Sequence, residues 1–563
     1  MRRALLSLIL LVIAVSGTAP QAAPVRPKLF VLISIDQFRG DYVQRYGGQW
    51  KHGLRALFDR GAYFSQAAYP YLNTVTCAGH STMGTGTLPK THGIPLNAWW
   101  DRESGKQVTC TQDDAVKNIA HGDEPARGGD SAGRLRSPTF ADELRLQSGQ
   151  PPRIVSLSLK ARSAIMMAGH GGDLVAWHDS TRGFVTSSAY AKGPVTFLAN
   201  YQRAHPIEAD AGKTWRKLWP DSAYQFVDDG LGESPEGDWT RTFPHVLPKE
   251  PGAELHARWE ATPFADLYLA DLAIAAAKHF QLGQRNATDF LAVSFSSLDV
   301  AGHQFGPRSH EVQDSLANLD VTMGRLLDAL DRQVGRDNYL LALTGDHGVA
   351  PIPEQMAAEG LNAGRISPKD VAARVDAALV PFLGPGPHVN QQVFTDLYLK
   401  AGVIGQLREQ PRAMQAVRDA LATVPGVAEV LDPVEFWRAN SSGDDAASSA
   451  ILSYVPGRSG DLILIPRPYF LNSTAGSTHG TSYDYDARVP VLLAGPGIRT
   501  GEHLSRATPA DIVPTLAYLA GITMPRSDGR ILHEALETNR PATTPAVTAR
   551  PAASADGGAQ GAQ

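Results

Sequence analysis

The chain has 563 residues and 43% hydrophobic content, enough to bury a large core, arranged either as three or four domains or as one large α/β domain with insertions. Its net charge of −5 and pI near 6.4, with no basic stripe, argue against nucleic acid as a partner, because neutralising a phosphate backbone needs a basic surface.

In chain order, Met1-Arg2-Arg3, an apolar run over 4–15 and small residues over 16–23 have the three regions of a secretory signal peptide. The run is about a dozen residues, short of the roughly 20 that span a bilayer. No later run replaces it, so no membrane association is expected after cleavage. Losing Arg2 and Arg3 takes the net charge to about −7. Richness in Ala, Gly and Arg fits a GC-rich bacterial source, hence a periplasmic or secreted protein. An oxidising compartment permits the two cysteines, Cys77 and Cys110, to form a disulfide, which is the expectation; two unpaired thiols are the alternative.

Residues 28–35 are continuously apolar and β-branched, as in a strand buried on both faces of a parallel sheet, and end at Asp36. In open α/β sheets the ligand site lies beyond the carboxyl ends of the strands, which puts an acid there in position for chemistry. An amphipathic helix over 53–60 and a strand over 62–68 lead into residues 73–85, where hydroxyl follows hydroxyl. Thr76 is the candidate nucleophile: Ala78 and Gly79 let a helix start close to an anion, and first-turn N–H groups beginning with that of Cys77 would face it. A threonine at a helix start is ordinarily only a cap, and its hydroxyl needs a metal or a base to become nucleophilic.

From about 90 to 255 the texture is irregular and reads as an insertion or cap. Ser137-Pro138, Thr262-Pro263 and Thr508-Pro509 each open a helix with a cap and a first-position proline, the latter two running to about Phe280 and Ala520. Strands over 289–295 and 338–343 flank a helix with Val312, Leu316, Leu319, Met323, Leu326 and Leu330 at helical spacing. This is strand, helix, strand, as a doubly wound, mostly parallel sheet flanked by helices requires. A second insertion covers about 355–455, with a helix around 412–423; strands resume at 461–465 and 489–494. Residues 24–536 thus read as one α/β domain with two insertions, and 537–563, rich in Ala, Pro, Thr and Gly, as a disordered tail.

Pooled, Asp36, Asp299, His303, Asp346, His347 and His479 are oxygen and nitrogen donors, mostly just past strand ends, and two sets of three would suit two Zn²⁺ ions. Singly each has a bland reading as a cap or a core histidine. Asp299 and His303 share a face if helical, and Gly348 lets Asp346 and His347 splay to different partners.

These motifs, with Asn73-Thr-Val-Thr76, His92-Gly-Ile-Pro-Leu-Asn97, Thr344-Gly-Asp-His-Gly348, Thr478-His-Gly480 and 508–516 in that order, resemble the alkaline phosphatase superfamily. Within it, the resemblance is to the branch shared by nucleotide pyrophosphatase/phosphodiesterases and PafA-like phosphate monoesterases with a threonine nucleophile. The resemblance implies one zinc on Asp299, His303 and His479, and a second on Asp36, Asp346 and His347 with Thr76 bound to it. It also implies hydrolysis of small phosphate monoesters through a phosphothreonine. Two cations about 4 Å apart would clamp the attacking and departing oxygens. Asn97 would donate its amide to a phosphoryl oxygen. Lys160 and Arg162, two apart on an expected extended segment, would reach a dianionic phosphate and favour monoesters.

The alternative is a phosphodiesterase or nucleotide pyrophosphatase with the same metals; a third possibility is a non-catalytic zinc protein. Structural zinc cages are closed and usually cysteine-rich, unlike this set. The Cys-Ala-Gly-His-Ser at 77–81 lacks the Cys-x-Pro-x-Arg of formylglycine sulfatases. His80, His92, His170, Asp484 and Asp486 read as structural, and a monomer is expected.

Overall fold

The apolar run at 28–35 forms strand β1 (Leu29–Ile35), buried at every residue. A computed structural model describes residues 26–122, 125–436 and 445–537; the signal-peptide stretch and, apart from Glu537, the tail expected over 537–563 lie outside the described residues. β1 is the centre of a ten-stranded sheet whose other members are β2 (Ala62–Phe64), β3 (Asn118–Ile119), β4 (Ile154–Ser158), β5 (Leu174–Asp179), β6 (Gly183–Ser187), β7 (Asp289–Phe295), β8 (Tyr339–Thr344), β9 (Val491–Ala494) and β10 (Gly501–His503). Their spatial order is β10-β2-β9-β8-β1-β7-β4-β5-β6-β3. The central run β8-β1-β7-β4-β5 is parallel, and β9 and β6 turn antiparallel on either side of it.

Alternation along β1 divides the core in two. Leu29, Val31, Ile33 and Ile35 pack with helices Pro263–His279 and His310–Gln333, whereas Phe30 and Leu32 pack with Phe140–Gln147 and Ile512–Ala520. Burying each such side chain contributes about 1.5–3 kcal/mol, and helices on both faces are what a parallel sheet needs. The fold is therefore the expected α/β sheet flanked by helices. No helix among the described residues is long and apolar enough to cross a membrane.

Three details differ from expectation. The stretch 90–255 is not wholly a cap: it supplies β3, β4, β5 and β6 to the main sheet. Ser156 and Ser158 interrupt the apolar pattern of β4, yet both are buried, and the Ser156 hydroxyl donates to the Ala164 carbonyl at 2.7 Å. The helix expected from Ser137 begins instead at Phe140, because Thr139 and Asp142 form a reciprocal capping box that satisfies two donors. The 508–520 segment opens with a 3₁₀ turn, Pro509–Asp511, before the α-helix Ile512–Ala520.

Within the second insertion lies a separate four-stranded sheet, in the order Val389–Val393, Asp396–Leu399, Leu462–Pro466, Val427–Leu431. The strand expected near 461–465 belongs to it, past residue 455, with its own core against helices Pro368–Leu383 and Pro411–Ala422. Its first hairpin grips the 73–76 stretch. Thr395 donates its hydroxyl to Asn73 Oδ1 at 2.7 Å, and Asn73 Nδ2 donates to Asp396 Oδ2 at 3.1 Å.

Candidate active site

Four neighbouring parallel strands deliver side chains to one place beyond their carboxyl ends. Asp36 follows β1 directly; Asp346 and His347 lie just past β8, and Lys160 just past β4. After β7 the chain enters helix Ser297–Phe305, whose pitch stacks Asp299 over His303 as expected, Oδ1 to Nε2 at 3.3 Å. His479 comes from the irregular segment after the insertion, its ring stacked on that of His347 at 3.4 Å between centroids.

Two donor groups result: Asp299 with His303 and His479, and Asp36 with Asp346 and His347. Within each, the ligand-type atoms lie within 4.8 Å of one another. The three imidazoles are oriented alike. Nδ1–H of His347 donates to the Gly348 carbonyl at 2.8 Å, that of His303 to Ser477 at 2.9 Å and that of His479 to Thr74 at 2.8 Å. This leaves the Nε2 lone pairs facing carboxylate oxygens: His347 lies 3.4 Å from Asp36 and 3.3 Å from Asp346, and His479 lies 4.0 Å from Asp299. Lone pairs aimed at carboxylates repel unless a cation lies between them, and a backbone acceptor on the far nitrogen is how ligating histidines are held.

Charge balance points the same way. Asp36 Oδ1 and Asp346 Oδ2 are buried without a hydrogen-bond partner, which is expensive for carboxylates. Burial, and then the neighbouring Asp36, push the Asp346 carboxyl well above its usual range. For Asp299 burial acts upward too, but His303 and Lys160 outweigh it and hold the carboxyl well below. Burial lowers His347 to about 3 and, reinforced by His347 and His303, takes His479 well below the usual imidazole value. The Lys160 ammonium touches Asp36 Oδ2 and Asp299 Oδ2 at once, a positive charge between the two groups. Burial lowers His303 too, but Asp299 outweighs it and raises that imidazole. Two imidazoles held neutral, orphaned carboxylate oxygens and a lysine standing in for positive charge fit two divalent cations.

Thr76 is the first residue of helix Thr76–Thr85, buried, with Oγ1 3.3 Å from His347 Nε2. Its neighbourhood corrects one expectation: the Cys77 N–H does not face the anion position but donates to Asn97 Oδ1 at 2.7 Å. That bond occupies the oxygen of Asn97 and leaves its NH₂ as the free end. Cys77 and Cys110 are bridged, so the second residue of the helix is tied to residues near Asn97. Lys160 and Arg162 also differ from expectation, because the extended segment ends at Ser158. Lys160 caps helix Ala161–Ala168 and Arg162 lies in its first turn, with Nε buried and unpartnered.

Four of the other polar residues make contacts within the fold. His80 bonds the Thr76 carbonyl and Ser294, and burial lowers it to about 4. His92 contacts the Thr82 hydroxyl, His170 pairs with Asp142, and Asp486 accepts from both N–H and hydroxyl of Thr481. Gln37 went unnoticed in the sequence, where nothing but its place after Asp36 marks it; it is fully buried between Asp299 and Asp346.

The sequence matches the type I phosphodiesterase / nucleotide pyrophosphatase family over residues 30–484. It is 32% identical over 528 residues to a protein of Myroides odoratus named calcium-transporting ATPase, covering 91% of this chain and 95% of that one. It is 32% identical over 532 residues to alkaline phosphatase PafA of Elizabethkingia meningoseptica, covering 92% and 96%. The crystal structure of wild-type PafA superimposes with a TM-score of 0.83 at 30% identity, over 92% of this chain and all of that one.

Proposed function

The chain belongs to the type I phosphodiesterase / nucleotide pyrophosphatase family and is a phosphoric monoester hydrolase within it, and from that premise we propose that it is a secreted or periplasmic enzyme that hydrolyses small phosphate monoesters through Thr76 with two zinc ions. Asp299, His303 and His479 would hold one ion, and Asp36, Asp346 and His347 the other, with Thr76 beside it. The mixture of imidazole and carboxylate donors favours zinc. A buried disulfide and the leader at 1–23 favour an oxidising compartment.

The observation that carries this reading is the convergence of both donor groups and the Thr76 hydroxyl beyond the ends of adjacent strands, with the Nε of Arg162 buried and unpartnered. Bound zinc would favour the alkoxide form of Thr76 and offset charge on the departing ester oxygen. Thr76 Oγ1 attacks phosphorus in line, the bond to the leaving oxygen breaks and a phosphothreonine forms; water then cleaves it to free phosphate and restore the hydroxyl. The helix that starts at Thr76 aims the positive end of its dipole at the transferred group. Asn97, with its oxygen held by Cys77, presents its amide hydrogens, and Lys160 and Arg162 supply two positive charges for the dianionic monoester phosphoryl group. A diester carries one negative charge fewer and would gain less from that pair. ATP hydrolysis, as in the name of the Myroides relative, is the same transfer from a terminal phosphate.

The test compares turnover of an aryl phosphate with its methyl diester by the purified chain loaded with zinc. The monoester should be strongly preferred, and Thr76→Ala should lower kcat/KM by at least about 10³-fold. Full activity in Thr76→Ala, or a diester preference, would overturn the proposal.

A further inference from the structure

Gln37 links the two donor groups. It follows Asp36 at the end of β1, is fully buried and has φ of +66°. A residue with a long side chain enters that left-handed region under strain, which structures retain where the conformation does something. Here the turn aims two donors of one residue at two acids. The Gln37 N–H donates to Asp346 Oδ1 at 3.0 Å, and Nε2 donates to Asp299 Oδ1 at 2.7 Å, with the Asp299 carbonyl 3.5 Å away. Asp299 Oδ1 is also the oxygen that faces His303 and His479.

The helix that carries Asp299 and His303 leaves room for this amide. A Cβ on Gly302 would lie 1.7 Å from Gln37 Oε1. That oxygen has no hydrogen-bond partner of its own, and an acceptor buried so is destabilising. Gln37 is thus unfavourable for stability on two counts, backbone and side chain. An apolar residue of the same length would avoid one of them.

We propose that Gln37 is a positioning residue: its side-chain amide fixes the carboxylate of Asp299, and so sets how tightly the Asp299, His303 and His479 group holds its cation, while its backbone N–H fixes Asp346. The inference rests on the two-cation reading above. It makes an asymmetric prediction, because substitution removes the side-chain amide and leaves the backbone donor. Hydrogen bonds to a ligating side chain are typically worth 10–100-fold in metal affinity.

The experiment titrates the metal-stripped chain with Zn²⁺ against a competing chelator, and a His303→Ala variant identifies which of the two affinities belongs to the Asp299 group. Gln37→Met, of equal length but without the amide, should weaken that affinity 10–100-fold and leave the other within threefold. Its unfolding midpoint without metal should be unchanged or raised. Gln37→Gly, which also relieves the backbone, should show the same one-site loss in a fold at least as stable. Gly302→Ala, by displacing the amide, should mimic both, and added to Gln37→Gly it should cause little further loss. Unchanged affinities in Gln37→Met and Gln37→Gly would overturn the proposal, as would equal weakening at both sites with a lower unfolding midpoint. A wild-type chain that takes up no zinc would instead overturn the two-cation reading, and this inference with it.

Discussion

Gly79 offers a quantitative test of how tightly the Thr76 helix must seat against the segment that carries Asp346 and His347. It lies one turn into the helix, with its N–H bonded to Val75 O at 2.9 Å. A Cβ there would fall 2.2 Å from the Asp346 carbonyl oxygen and 2.8 Å from its carbon and Cα. These are backbone atoms, so no rotamer change relieves the clash. A carbon–oxygen contact relaxes only near 3.3 Å, so Gly79→Ala must part the helix from Asp346 by about 1 Å. Two effects compete. Alanine gains about 1 kcal/mol of helix propensity, whereas overpacking costs about 1–3 kcal/mol, so the net stability change is small or moderately unfavourable. Geometry is less forgiving: Thr76 Oγ1 lies only 3.3 Å from His347 Nε2, and a 1 Å misplacement can lower rate about 10²-fold. The measurements are kcat/KM on an aryl phosphate at saturating zinc and urea unfolding. Gly48→Ala is the control, an exposed site with nothing within 4 Å of the added methyl, expected to be silent. Activity in Gly79→Ala within about threefold of wild type would show that the helix has slack, and the reasoning from close approach would fail.

Other consequences are open to measurement. Lys160→Ala combined with Arg162→Ala should depress monoester kcat/KM by at least about 10²-fold while sparing the diester; an equal loss on both substrates would show that the pair does not select. Replacing both Cys77 and Cys110 with Ser opens a bridge that spans 33 residues and should cost about 2–4 kcal/mol of unfolding free energy; a loss under about 1 kcal/mol would refute that. Burial pushes the Glu233 carboxyl up from 4.5 to about 8. Between those values the folded chain holds a proton that the unfolded chain has released, so stability falls as pH rises through the window. Glu233→Gln should flatten that slope in the metal-stripped chain and gain about 1–3 kcal/mol over wild type near pH 9, with little change near pH 4.5; unchanged slopes in denaturant unfolding would count against it.

The sequence by itself determined what is local or periodic. The unbroken apolar run of β1, the helical spacing from Val312 to Leu330 and the Thr262-Pro263 start each follow from short-range physics, and each formed where expected. Asp36, Asp346 and His347 stood out in the sequence for a related reason: polar residues placed just after buried strands are exposed to chemistry by the sheet's geometry. Strand β4 was not, because its two buried serines break the pattern that periodicity reads. Only the tertiary structure decided which side chains meet across long separations. Asn97 takes the Cys77 N–H, Lys160 comes between acids 124 and 139 residues away, and the amide of Gln37 reaches Asp299 across 262. Such meetings depend on strand order and on how closely one backbone approaches another, as at Gly79 and Gly302. Those quantities are set by packing of the whole core, and no stretch of residues carries them alone.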